Sequence, residues 1–191
     1  MKTHKQLVRL VLLALLTALI FLMGQTPLGL IPLGFCNVTL LVIPVAVGTV
    51  YQGWRDGLVL GAAFAATSLL SALTKPSLLV STLMGASLPL AIIMTVLPRL
   101  CIPLVIGGVD RLLRRVKRPV AAGIAAACGS LTNTILYLGL MLLFYVLSGI
   151  DSAKVLTTIA AVAGGAGPLE AIAAAVITPP ILTALNKVKL H

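Results

Sequence analysis

The run Leu7-Val-Arg-Leu-Val-Leu-Leu-Ala-Leu-Leu-Thr-Ala-Leu-Ile-Phe-Leu-Met-Gly24 decides the fold. As a helix its 18 residues reach about 27 Å, close to the hydrocarbon thickness of a bilayer. Lys2, His4, Lys5 and Arg9 stand at its start. A basic start and an apolar middle would also describe a secretory leader. Gln25-Thr26-Pro27 is no small-x-small cleavage site, however, and further apolar runs follow. The segment therefore reads as a retained first helix with its N-terminus in the cytoplasm.

Composition extends that reading to the whole chain. Of 191 residues, 60% are hydrophobic and only 9% charged, with a mean hydropathy of +1.16. A soluble domain carries about a quarter charged residues, so this surface is built for lipid. The length suits one membrane domain, 1–191. The net charge of +10 does not indicate nucleic acid, because the basic residues form no stripe interleaved with aromatics. Cys36, Cys101 and Cys128 are far apart and lack CxxC spacing, so they read as small buried residues rather than a metal site; a Cys36–Cys101 bridge on the outer side stays open, without support from the sequence. The acids are Asp56, Asp110, Asp151 and Glu170, and the histidines, His4 and His191, lie at the tips. With no GxxxxGK[ST], HExxH or GxSxG pattern, no catalytic residue, metal or cofactor is expected, and the chain cannot hydrolyse ATP itself.

Six crossings are expected, in an all-α membrane protein with both termini cytoplasmic. After the first, residues 25–37 combine Pro27, Gly29, Pro32 and Gly34 with Leu28, Leu30, Ile31, Leu33 and Phe35. A loop both broken and greasy should fold back over the protein as an outer lid. Residues 38–51 form a short second run and 58–73 a third. Residues 74–97 read as an outer, partly re-entrant segment. The fourth crossing is then expected over about 97–113, which puts Arg99 at its outer end; one long helix from Leu79 would place Arg99 at mid-depth instead. Residues 111–119 form a basic cytoplasmic loop and 120–147 the fifth crossing; 148–168, with Asp151, Lys154 and the Gly164-Gly165-Ala166-Gly167-Pro168 breaker, contains the outer loop, and 169–185 is the sixth crossing. This topology puts Lys2, Lys5, Arg9, Arg55, Arg111, Arg114, Arg115, Lys117, Arg118, Lys187 and Lys189 inside, eleven of the fourteen basic residues. Lys75, Arg99 and Lys154 are outside. The asymmetry favours this orientation over its inverse.

Two kinds of residue invite function. Ala14 and Ala18, like Gly57 and Gly61, put small residues on one helix face, where another helix can approach closely, within this protein or from a partner. Asn37, Thr39, Arg99, Asn133 and Glu170 are polar groups that cost free energy at membrane depth unless they face a cavity or a partner. Each also has a plain structural role: an interhelical hydrogen bond for Asn133, a helix-dipole contact for Glu170, outward snorkelling for Arg99. Their common location in the outer half points to one polar pocket beneath the lid.

The order of features resembles the small six-helix substrate-binding (S) components of energy-coupling factor (ECF) vitamin transporters. Thr26-Pro27-Leu28-Gly29-Leu30-Ile31-Pro32-Leu33-Gly34 followed by Asn37-Val38-Thr39-Leu40-Leu41-Val42-Ile43-Pro44 is similar to the lid and second-helix pattern of the branch with pantothenate and riboflavin binders. Pro98-Arg99-Leu100, Ser130-Leu131-Thr132-Asn133-Thr134 and Pro168-Leu169-Glu170-Ala171 match later family positions. The resemblance implies a prokaryotic cell-membrane protein that captures a vitamin from outside. It further implies a transmembrane scaffold (T) subunit and two cytoplasmic ATPases as partners, with toppling in the membrane to release the substrate. An AxxxA face on the first helix docks the scaffold in that family, and Ala14 and Ala18 sit at the matching place.

The vitamin is a question of chemistry. Flavin, thiamine and folate sites want rings for stacking, and aromatics make up only 4% here. Pantothenate offers a carboxylate, two hydroxyls and an amide. Arg99 suits the carboxylate, Asn133 the amide or a hydroxyl, and Glu170 the hydroxyls or Arg99 itself. Pantothenate is the expected ligand. Another vitamin such as riboflavin remains an alternative, as does a self-sufficient secondary transporter, although the latter would want coupling acids or an inverted repeat.

Overall fold

The computed structural model describes residues 2–26, 30–32 and 37–188. They are helical apart from one small hairpin and short connections, with α1 at Lys2–Gln25, α2 at Val42–Gln52, α3 at Trp54–Thr74 and α4 at Leu78–Ala86. α5 follows at Leu88–Leu112, α6 at Arg118–Leu147, α7 at Ala153–Ala161 and α8 at Gly167–Val188. Five helical stretches are long and apolar enough to cross a membrane: Gln6–Gln25, Trp54–Thr74, Leu88–Leu112, Arg118–Leu147 and Ala153–Lys187. Their outer faces carry exposed apolar stripes, such as Leu169, Ile172 and Val176 on α8, which suit lipid and not water.

The second run differs from the others. α2 has 11 residues, or about 16 Å, well short of a bilayer core. Residues 42–50 are all buried, because α2 packs against α1, α3, α5, α6 and α8. A short helix is tolerated in a membrane protein when protein, not lipid, surrounds its backbone ends. Pro44 falls in its first turn, where the missing N–H costs little. Around Val45, Ala46 and Val47 gather Ile20, Phe64, Ile102, Ile106, Ala125 and Ala126, the central core. A second core, with Val80, Leu83, Met94, Met141, Phe144, Tyr145 and Val155, joins α4, α5, α6 and α7. The Tyr145 hydroxyl donates to the Leu79 carbonyl at 2.6 Å and ties α4 to α6.

The Gly57/Gly61 pair serves packing inside the chain. A Cβ at Gly57 would meet Thr49 Oγ1 at 2.3 Å, and one at Gly61 would meet the Arg99 carbonyl oxygen at 2.9 Å. Glycine thus lets α3 lie directly on α2 at Gly57 and on α5 at Gly61. Gly61→Val is expected to cost about 1–3 kcal/mol by overpacking and to lower the thermal midpoint in detergent; an unchanged midpoint would mean that the α3–α5 contact has slack. Ala14 and Ala18, by contrast, are exposed on α1, while Leu16 and Ile20 of that helix are buried.

At the other end of α1, the Arg9 guanidinium donates from Nε and Nη2 to both carboxylate oxygens of buried Asp56. The Gln52 amide donates to the Arg9 carbonyl at 2.8 Å. Arg118 bonds Asp110 at 2.8 Å and the Val50 carbonyl at 3.0 Å. These contacts fasten α1, α2, α3, α5 and α6 where the expected inner loops lie.

Three boundaries differ from the sequence reading. α5 begins at Leu88, well before Leu97, with Pro98 and Pro103 inside it, so Arg99 lies near the middle of a 25-residue helix and not at its outer end. Prolines are tolerated there because packing compensates for the lost bonds. Within 148–168 only residues 148–152 are non-helical: α7 continues through a π-helical segment, Val162–Ala166, directly into α8. The Gly167 N–H reaches back to the Val162 carbonyl, so the glycine-rich breaker widens the helix by one residue and does not end it. Finally, the lid segment contains structure. Strands β1, Leu30–Pro32, and β2, Asn37–Thr39, pair antiparallel with Ile31 opposite Val38.

Candidate functional site

A cavity of about 210 Å³ adjoins the second core, whose Val80 and Met141 stand in its wall. Its wall is built from every element around it. α3 supplies Ser68 and Ser71, α5 supplies Thr95 and Arg99, and α6 supplies Asn133, Thr134 and Tyr137. β2 adds Thr39, the π segment adds Val162 and Ala166, and α8 adds Glu170. Periodicity explains the composition: Thr95 and Arg99, like Asn133 and Tyr137, are four apart and share a helix face.

Arg99 dominates the site. It is 8% exposed, and its Nε and Nη1 have no hydrogen-bond partner. Its guanidinium carbon lies 4.5 Å from the centroid of Tyr137 and 5.6 Å from that of Phe64. The two rings offset part of the charge's desolvation but accept none of its N–H bonds. Pro103 has no N–H to give the Arg99 carbonyl, and Gly61 closes on that oxygen from α3. The cation is therefore firmly placed and chemically unfinished. Buried N–H groups of a charged side chain are costly to leave unmade, so an anion is the group this site lacks.

Glu170 does not supply it. At the first turn of α8 and 7% exposed, its Oε1 accepts the Thr39 backbone N–H at 2.5 Å. Its Oε2 has the Thr134 hydroxyl at 3.4 Å, which the Ser130 carbonyl contests at 3.3 Å. The carboxylate thus anchors the lid strand to the helix bundle. Asn133 is 5% exposed, with Oδ1 unpartnered.

Of the residues singled out in the sequence, Thr39, Arg99, Asn133 and Glu170 meet at this cavity. The side chain of Asn37 falls outside the described residues; its backbone pairs with Pro32 in the hairpin. Cys36 also falls outside them, while Cys101 and Cys128 are free thiols. The sequence reading missed Tyr137, Phe64, Thr95, Ser68, Ser71 and Lys75. The spacing of Tyr137 from Asn133 was the available signal. Glu170→Gln is expected to weaken the charge-assisted bond to Thr39 by about 1.5–3 kcal/mol, read as faster hydrogen exchange at the Thr39 amide. Unchanged exchange would show that the lid strand is held elsewhere.

The model of a family described as the substrate-specific component of ECF transporters matches residues 8–182. The chain belongs to that family. No curated protein matches it. ECF substrate-specific components bind a small molecule and work with T and ATPase subunits, so this S component is a membrane transporter part, from a family of transporters and not of enzymes. Its helical, lipid-suited architecture and its polar cavity agree with that membership.

Proposed function

We propose that this S component is the high-affinity vitamin-capturing subunit of an ECF transporter in a prokaryotic cell membrane, and that its vitamin is pantothenate. The observation that carries the substrate is Arg99: a buried cation with open N–H groups, set in a cavity that also offers Asn133, Thr95 and hydroxyls. A carboxylate completes Arg99 as a charge-assisted pair. Asn133 then takes the amide or a hydroxyl, and Glu170 and Thr39 close the lid side. Tyr137 does not argue for a flavin, because its face is covered by the guanidinium. The cavity is also smaller than the roughly 300–1,000 Å³ common for drug-sized ligands.

In this reading α2, the second in order, joins the five long stretches to make six crossings, residues 74–87 lie outside, and both termini are cytoplasmic, as the eleven inner basic residues favour. The pocket opens outward beneath the 25–37 lid. Ala14 and Ala18, exposed on α1, dock the T subunit, and two ATPases drive the assembled transporter. Calorimetry on the purified protein in detergent tests the substrate. Pantothenate is expected to bind tightly and riboflavin not at all; riboflavin binding alone would keep the family and overturn the substrate. Uptake into vesicles lacking the ATPases would favour a secondary transporter.

A further inference from the structure

The cavity wall formed by α3 ends in a charge. Ser68, Ser71 and Lys75 all line the cavity, at spacings of three and four that keep them on one helix face. Lys75 itself is exposed, immediately beyond the last residue of α3. Its position is fixed, since its N–H donates to the Ser71 carbonyl at 2.8 Å and Pro76 follows. One end of the polar wall is thus buried at Arg99, and the other reaches solvent at Lys75.

The charges around the cavity give Lys75 its importance. Arg99 and Glu170, both lining it, offset each other at a distance. Lys154 opens α7, whose Thr158 also lines the cavity, and Asp151, which accepts the Ala153 N–H at 2.9 Å, carries the opposite charge just before that helix. Among the described residues that line the cavity, Lys75 is the exposed cation. A cleft with low-dielectric walls focuses the field of such a charge and raises the capture rate of counter-ions.

We infer that Lys75 is the capture residue of the site: it steers an anionic ligand into the mouth and leaves the holding of it to Arg99. This rests on the anion-binding reading of Arg99. A cation just past a helix C-terminus also stabilises the helix dipole, a structural role that would change thermal stability but not the salt dependence of association.

The test measures pantothenate association and dissociation rates in zwitterionic phosphatidylcholine nanodiscs, from about 20 mM to about 500 mM NaCl, a range over which exposed charges pass from little to strong screening. Lys75→Gln is expected to slow association about 3–10-fold at low salt, to flatten its salt dependence and to leave dissociation within about twofold. Lys75→Glu should slow it further, and Lys75→Arg should restore the wild-type rate. Unchanged association in Lys75→Gln would overturn the inference, and so would a change confined to dissociation, which would make Lys75 a holding residue. If the wild type binds no pantothenate, the substrate reading falls and this inference with it. Normal wild-type binding with unaltered Lys75→Gln kinetics sinks the role of Lys75 alone.

Discussion

Replacing Arg99 with methionine is expected to weaken pantothenate binding by about 2–5 kcal/mol, a loss of roughly 30- to several thousand-fold. The size follows from where the charge sits. In the empty protein Arg99 is buried between Phe64 and Tyr137 with two polar nitrogens unmatched. Burial between the two rings already carries much of the desolvation cost of the cation, so a carboxylate that enters the cavity recovers a charge-assisted pair at low dielectric. The same logic gives stability the opposite sign. Removing a buried, unpaired cation while roughly keeping its volume should leave the ligand-free protein as stable as the wild type, or more so. Arg99→Ala should also abolish binding, at the added expense of a void. Calorimetry and thermal unfolding of Arg99→Met check both halves, and unchanged affinity would remove Arg99 from the site.

Ala18→Leu, or Ala14→Leu, is expected to abolish assembly with the T subunit and hence uptake, while leaving pantothenate affinity unaltered. Both alanines are exposed on α1 amid larger apolar neighbours such as Val11, Leu15 and Leu22. They make a shallow groove down a lipid-facing surface. Close approach of helix backbones is what small residues provide in a membrane, and a leucine at either place would hold a partner helix off by about a side chain. Neither residue touches the cavity, so binding should not respond. Co-purification of each variant with the scaffold is the direct check; if both variants still assemble, the docking face lies elsewhere.

The membrane architecture was legible in the sequence because bilayer thickness imposes a length on apolar runs, and α1, α3 and α6 obey it. The polar residues Thr39, Arg99, Asn133 and Glu170 were legible for a similar reason: in so apolar a chain each stands out by its cost. What failed was the reading of proline and glycine. Pro98-Arg99 looked like a helix end, yet α5 runs through both prolines, since neighbouring helices take over the packing and Phe64 and Tyr137 shelter the charge. The Gly164–Pro168 stretch looked like a loop, yet a π turn absorbs it and delivers Glu170 to the cavity. Punctuation rules drawn from chains in water lose force where no solvent competes for the backbone. Tyr137 was overlooked for another reason: a low aromatic percentage says nothing of where the few rings lie.

The most direct test of the central claim compares, on the wild-type protein, pantothenate with its neutral counterpart in which a primary alcohol replaces the carboxylate. The two differ at the group assigned to Arg99 and share the hydroxyls and amide assigned to the rest of the cavity. The anion is expected to bind more tightly by at least about 100-fold, as a buried charge-assisted pair warrants, and the difference should vanish in Arg99→Met. Equal affinities for the two ligands would contradict the account.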